Sequence, residues 1–171
     1  EPAQLRPLLD AQRAMSLIRS HAKEWGVDTN RVGVLGFSAG GQLAAWLLCD
    51  GHRRAPGYPA LTNEPSCRPD FGVLIYPAYL SVADREREQP VIRAEEKPGP
   101  VFFVHAADDK LGPENSIEFF LALKKAGVPG ELHVFQQGGH GFGMLKQGKP
   151  ANDWPARCAE WLRTQGWLES R

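Results

Sequence analysis

The sequence predicts an α/β protein with a mostly parallel sheet flanked by helices. Two observations carry this. Short apolar, strand-like runs alternate with segments of helical period along the chain. Three of the four strand-like runs also end in a Gly- or Asp-rich turn, as in units whose parallel strands are joined by crossovers.

The elements follow in order. Leu5, Leu8, Leu9, Ala14, Leu17, Ile18, Ala22 and Trp25 recur at spacings of three and four, which predicts an amphipathic helix ended by Gly26. Asp28-Thr29-Asn30 turns the chain into a first strand over Arg31–Leu35. A helix over Gln42–Cys49 presents Leu43, Trp46 and Leu47, and the Pro- and Gly-rich stretch from Gly51 to Asp70 reads as loop. Phe71–Tyr76 is the second strand, stopped by Pro77. Val101–His105 is the third, and Leu132–Phe135 the fourth. Between these two, Pro113–Ala126 reads as a helix with Ile117, Phe120, Leu121 and Leu123 inward and Gly127 beyond its end. In the last helix Asp153 is the expected cap, Pro155 suits the first turn, and Trp154, Cys158, Trp161 and Leu162 form the apolar stripe.

A chain of 171 residues, 42% hydrophobic and 23% charged, suits a single globular domain over 1–171. Within it the charged segment 78–98, centred on Asp84-Arg85-Glu86-Arg87-Glu88, reads either as a solvated surface excursion or as a short cap. Basic and acidic residues number 20 each, and no basic stripe extends beyond Arg53-Arg54. Nucleic acid and membrane are therefore not expected partners. No apolar run is long enough to span a bilayer, and Glu1-Pro2-Ala3-Gln4 does not begin a signal peptide. Cys49, Cys67 and Cys158 form no C-x-x-C pair and read as buried free thiols, or as one disulfide were the protein exported.

The chemistry concentrates at Gly36-Phe37-Ser38-Ala39-Gly40, a G-x-S-x-G element between a strand and a helix. A serine hydroxyl is a weak nucleophile. It becomes useful when a sharp turn holds it where a base can reach it and backbone amides can meet an oxyanion. Gly36 and Gly40 suit the tight turn and the close approach of strand and helix. A glycine-rich turn with a solvent serine is the bland alternative. A phosphate loop fits less well, because no Lys-Ser or Lys-Thr pair follows and no G-x-G-x-x-G occurs.

Two further turns follow in the order serine, acid, histidine. The third strand runs into Ala106-Ala107-Asp108-Asp109, and the fourth into Gln136-Gln137-Gly138-Gly139-His140-Gly141. Carboxyl ends of parallel strands share one edge, so these residues can converge there. His21, His52 and His133 read as structural or solvated, and His105 as orienting the acid loop.

That chain order is the one found in α/β-hydrolases. The chain resembles the C-terminal part of an α/β-hydrolase of the esterase branch that includes acetyl-xylan-esterase-like and prolyl-oligopeptidase-like proteins. The resemblance rests on Val34–Gly41, His105–Ser116, Gly138–Gly143 and Asp153–Leu162, with about 50–67 and 78–98 least matched. It implies an α/β-hydrolase fold lacking the N-terminal strands, and a serine esterase for small acyl groups, such as acetyl esters of carbohydrate. A peptidase without its propeller, or a hydrolase-like scaffold that only binds, are the alternatives. In that family the acid stands four residues after the strand-ending histidine or glutamine, which implies Asp109; counting back without a gap from Glu114-Asn115-Ser116 implies Asp108 instead. The favoured triad is Ser38, Asp109 and His140, with the Ala39 amide as one oxyanion donor. No cofactor or metal is expected, since no H-E-x-x-H or paired-histidine motif appears. No His-Gly-Gly-Gly-type loop, the family's usual source of a second oxyanion donor, occurs in Glu1–Arg31. The 171 residues accordingly read as part of a longer hydrolase, or as a minimal form that pairs its exposed sheet edge in a homo-oligomer.

Overall fold

The computed structural model describes residues 5–51, 65–81, 89–93 and 95–169. Its elements are α1 (Leu5–Ser20), α2 (Ala22–Trp25), β1 (Val34–Phe37), α3 (Ala39–Asp50), β2 (Gly72–Ile75), β3 (Val101–Ala106), α4 (Glu114–Lys125), β4 (Gly130–Phe135) and α5 (Trp154–Thr164), with a 3₁₀ turn at Pro150–Asp153 before α5. The four strands pair in chain order and are all parallel.

The central strands β2 and β3 are buried along their whole length, which explains why they read as unbroken apolar runs. Side chains alternate along β3, so Val101 and Phe103 join one core while Phe102, Val104 and Ala106 join the other. The first core packs Ala44, Ala45 and Leu48 of α3 and Phe119 and Leu123 of α4 beneath Leu74 and Phe103. The second sets Trp154, Cys158 and Trp161 of α5 against Val73, Ile75, Phe102 and Val104. A third cluster joins Leu8 and Met15 of α1 to Leu47 on the far side of α3.

Several boundaries and faces differ from expectation. β1 begins at Val34 rather than Arg31, because Val32 exchanges its backbone bonds with Asp70: its N–H donates to Asp70 Oδ2, and its carbonyl accepts from the Asp70 amide. The first helix breaks at His21. Its buried stripe is Leu8, Gln12, Met15, Ser16 and Ala22, whereas Leu17 and Trp25 lie outside, with Trp25 stacked on the His21 ring. In α4, Leu121 is exposed and Phe119 takes the inward place, alongside Asn115, Ser116 and Leu123. Asp153 makes no side-chain cap; the 3₁₀ turn before it is closed by Asn152, whose Oδ1 accepts from the Gln147 and Lys149 amides. Cys49, Cys67 and Cys158 are buried thiols that form no disulfide. Burial pushes Cys49 up to about 12 and Cys158 up to about 11.

Of the segment 78–98, Asp84–Glu88 lies outside the described residues. Its start is tied down: the Leu80 and Ser81 amides both donate to Asn115 Oδ1. No described helix is long and apolar enough to cross a membrane.

Candidate active site

Because all four strands are parallel, their carboxyl ends present Ser38, Tyr76, the Asp108-Asp109 turn and, through the loop after β4, His140 along one edge. Ser38 occupies the whole turn between β1 and α3. Its backbone sits at φ 53°, ψ −122°, a conformation that costs on the order of 1–3 kcal/mol for a residue with a side chain. Neighbouring bonds impose it. The Ser38 amide donates to the Ile75 carbonyl, and the Ser38 carbonyl accepts from the Gly41, Gln42 and Ala78 amides. Tyr76 and Tyr79 also have positive φ, so all three non-glycine residues of this kind among those described cluster at this edge.

Close approach demands glycine at Gly36, where a Cβ would collide with the Gly40 carbonyl, and at Gly41, where it would meet Pro77 Cβ at 2.8 Å. Gly40 has no such constraint on its own Cβ, so its expected steric role passes to Gly41. Gly36→Ala should therefore lower the unfolding free energy by about 3 kcal/mol, the upper range for overpacking a rigid site. Gly40→Ala should stabilise by about 0.4–1 kcal/mol through the unfolded chain. Urea midpoints compare the two directly, and equal values would exclude the close approach as the reason for Gly36.

Ser38 Oγ lies 2.8 Å from His140 Nε2, and His140 Nδ1 lies 2.8 Å from Asp109 Oδ2. The Asp109 carboxylate has no exposed surface, while the His140 side chain is 31% exposed. A carboxylate only accepts, so the ring proton belongs on Nδ1 and leaves Nε2 free to accept from the serine hydroxyl. The second oxygen of Asp109 accepts from the Leu111 amide at 2.8 Å.

Asp108 points elsewhere. Its Oδ1 accepts from the amides of Gly139 at 2.6 Å and Gly138 at 2.9 Å, tying the acid turn to the histidine loop. Those amides, Gly139 first, hold its carboxyl below the usual range. Ala39 is the first residue of α3, where amides have no acceptor inside the helix and face the positive end of its dipole.

The sequence reading missed the support beneath His140. The Tyr76 ring meets the imidazole edge-on at 5.0 Å, and its hydroxyl accepts from the Gly143 amide at 3.1 Å. Trp154 Nε1 donates to the Gly143 carbonyl at 2.8 Å, so Gly143 is held from both sides. Burial raises the Tyr76 phenol. Phe37 packs against both rings, and Phe142 against Tyr76. An aromatic at a strand end was the only signal, and it reads equally well as core.

His105, by contrast, is fully buried at the end of β3. Its Nδ1 lies 2.8 Å from Ser116 Oγ and its Nε2 3.2 Å from Asp109 Oδ2, off the line of a good hydrogen bond. Burial lowers its pKa, opposed in part by Asp109. His133 pairs with Glu131 on β4 and His21 with Glu24, both away from this edge, and His52 lies outside the described residues. Among the described residues no group of three His, Cys, Asp or Glu could hold a metal.

The chain is similar to known proteins in sequence and in fold. An acetylxylan esterase of Xylanibacter ruminicola is 28% identical over 165 aligned positions, covering 81% of this chain and 31% of that protein. An acetyl ester-xyloside bifunctional hydrolase from Caldicellulosiruptor lactoaceticus superposes with a TM-score of 0.79 at 35% identity, over 95% of this chain and 67% of that one. Esterase 2 of Thermogutta terrifontis, solved phosphorylated by paraoxon, gives 0.70 at 26%, over 96% and 65%. The chain thus spans about a third of that acetylxylan esterase and two thirds of these solved neighbours. The dienelactone hydrolase family pattern matches residues 8–171, and the chain belongs to that family of the α/β-hydrolase superfamily.

Proposed function

We propose that this chain carries the catalytic apparatus of a serine esterase acting on carboxylic esters of small acyl groups, with acetyl esters of carbohydrate as the leading class. One observation carries the reading: the unbroken hydrogen-bond line from Ser38 Oγ through both nitrogens of His140 to Asp109, 2.8 Å at each step. The names of an acetylxylan esterase and an acetyl ester hydrolase among the similar proteins favour acetyl as the acyl group.

In this mechanism His140 Nε2 takes the hydroxyl proton as Ser38 Oγ attacks the ester carbonyl. The carbonyl oxygen becomes an oxyanion facing the Ala39 amide and the N-terminus of α3. The tetrahedral species collapses as the imidazolium protonates the departing alcohol, leaving an acyl group on Ser38. Water, deprotonated by the same ring, then releases the acid. Asp109 stays ionised throughout and stabilises the imidazolium.

Hydrolysis of p-nitrophenyl esters from acetate to octanoate, beside acetylated xylan, tests the assignment. The expected profile peaks at acetate or propionate and falls with chain length, and xylan releases acetate. Each methylene in an apolar pocket is worth only ~1–3 kcal/mol, so a maximum at octanoate would point to a different acyl site.

A further inference from the structure

A buried carboxylate must have its lone pairs met by protein donors, and Asp109 has two hydrogen bonds and one further ring nitrogen close by. Leu111 N–H takes Oδ1, and His140 Nδ1 takes Oδ2. The third group is His105, whose Nε2 stands 3.2 Å from the same Oδ2 in a site where neither side chain has exposed surface.

The proton on His105 can be located by elimination. Were Nε2 unprotonated, its lone pair would stand beside a carboxylate oxygen 3.2 Å away in a buried site with no donor between them. The proton therefore belongs on Nε2, and Nδ1 accepts from the Ser116 hydroxyl, which rotates freely to supply it. A purely architectural histidine joining β3 to α4 needs only the Ser116 bond. It gives no reason for the second nitrogen to lie within 3.2 Å of the acid.

We propose that His105 is a positioning residue: a neutral imidazole, held in its Nε2–H form by Ser116, that fixes the Asp109 carboxylate for His140. Neutrality matters. A second cation at this distance would compete with the His140 imidazolium for Asp109, whereas a neutral N–H orients the carboxylate and favours its ionised form without cancelling its charge. Burial acts in that direction, since it disfavours charge on the His105 ring. In the resting chain the contact is off the line of a good hydrogen bond, as contacts of unliganded sites often are, and in the proposed role it aligns as positive charge forms on His140.

The inference rests on the proposed esterase mechanism, so its test has one readout independent of turnover. Long-range proton–nitrogen correlation spectra of ¹⁵N-histidine-labelled protein should show His105 as the neutral Nε2–H tautomer at neutral pH; the Nδ1–H tautomer would overturn the proposal. In steady-state hydrolysis of p-nitrophenyl acetate, His105→Leu should lower kcat about 10–100-fold with KM little changed, by analogy with the loss of an outer partner that orients a metal ligand. His105→Gln, whose amide can donate to Asp109 and accept from Ser116, should restore kcat toward wild type. A folded His105→Leu variant with wild-type kcat, or a glutamine variant no better than leucine, would also overturn it. If the wild type itself turns over no ester, the proposed function falls, and the ring spectrum alone upholds or overturns the placement of His105.

Discussion

Ser38→Ala should lower ester hydrolysis by on the order of 10⁶-fold and abolish covalent labelling by paraoxon. Among the described residues, the hydroxyl is the group that lies within hydrogen-bond distance of the His140 ring nitrogen facing away from Asp109. Fold stability should hardly move. The strained backbone at φ 53° is imposed by bonds from Ile75, Gly41, Gln42 and Ala78 to the main chain of Ser38, none of which uses the side chain. Urea unfolding should therefore agree with wild type to about 0.5 kcal/mol. Intact-mass spectrometry reads the labelling and peptide mapping the position. A label that persists on another serine would remove Ser38 from the mechanism.

The elbow was legible because its chemistry is local. Gly36, Ser38 and the strand and helix around them lie within a few residues, and the constraint that demands glycine is a contact between positions four apart. The convergence of Asp109 and His140 on Ser38 was legible for a different reason, since parallel topology sends every strand end to one edge. Topology left Asp108 and Asp109 undecided. Adjacent residues in a turn point in different directions, and only the fold shows Asp108 facing the Gly138 and Gly139 amides and Asp109 facing the ring.

Helix faces were read less well, for a physical reason. Apolar residues at three-four spacing define more than one stripe, and packing selected Phe119 over Leu121 in α4 and Met15 over Leu17 in α1. Polar residues on the buried stripes gave no hydrophobic signal at all. Gln12 is buried because its amide donates to the Asp50 carbonyl, and Asn115 because it binds the chain at Leu80 and Ser81. The clamp on Gly143 was invisible for a similar reason: it joins Tyr76 and Trp154, 78 positions apart, through one backbone unit in a third segment.

Asp109→Asn should reduce turnover by roughly 10⁴-fold, and Asp108→Asn by less than about tenfold. An asparagine at 109 can offer its NH₂ to His140 Nδ1, which then becomes an acceptor and moves the ring proton to Nε2. In that tautomer Nε2 cannot take the Ser38 proton, and no buried negative charge remains to stabilise an imidazolium. At 108 the chemistry asks for less. The asparagine carbonyl can still accept from Gly138 and Gly139, so the loop keeps its shape and loses only the charge that strengthens those bonds. The acid limb separates them further. Asp108 has its folded pKa depressed, so its contribution is complete above the ordinary carboxylate value of about 3.9 and is lost as pH falls through the lower folded value. Asp108→Asn should remove that strongly acidic component of unfolding and leave activity at neutral pH nearly intact. Parallel kcat measurements at neutral pH, with acid unfolding followed by circular dichroism, read both effects. The larger loss at Asp108 would reverse the assignment of the acid, and equal losses in the two variants would sink either assignment.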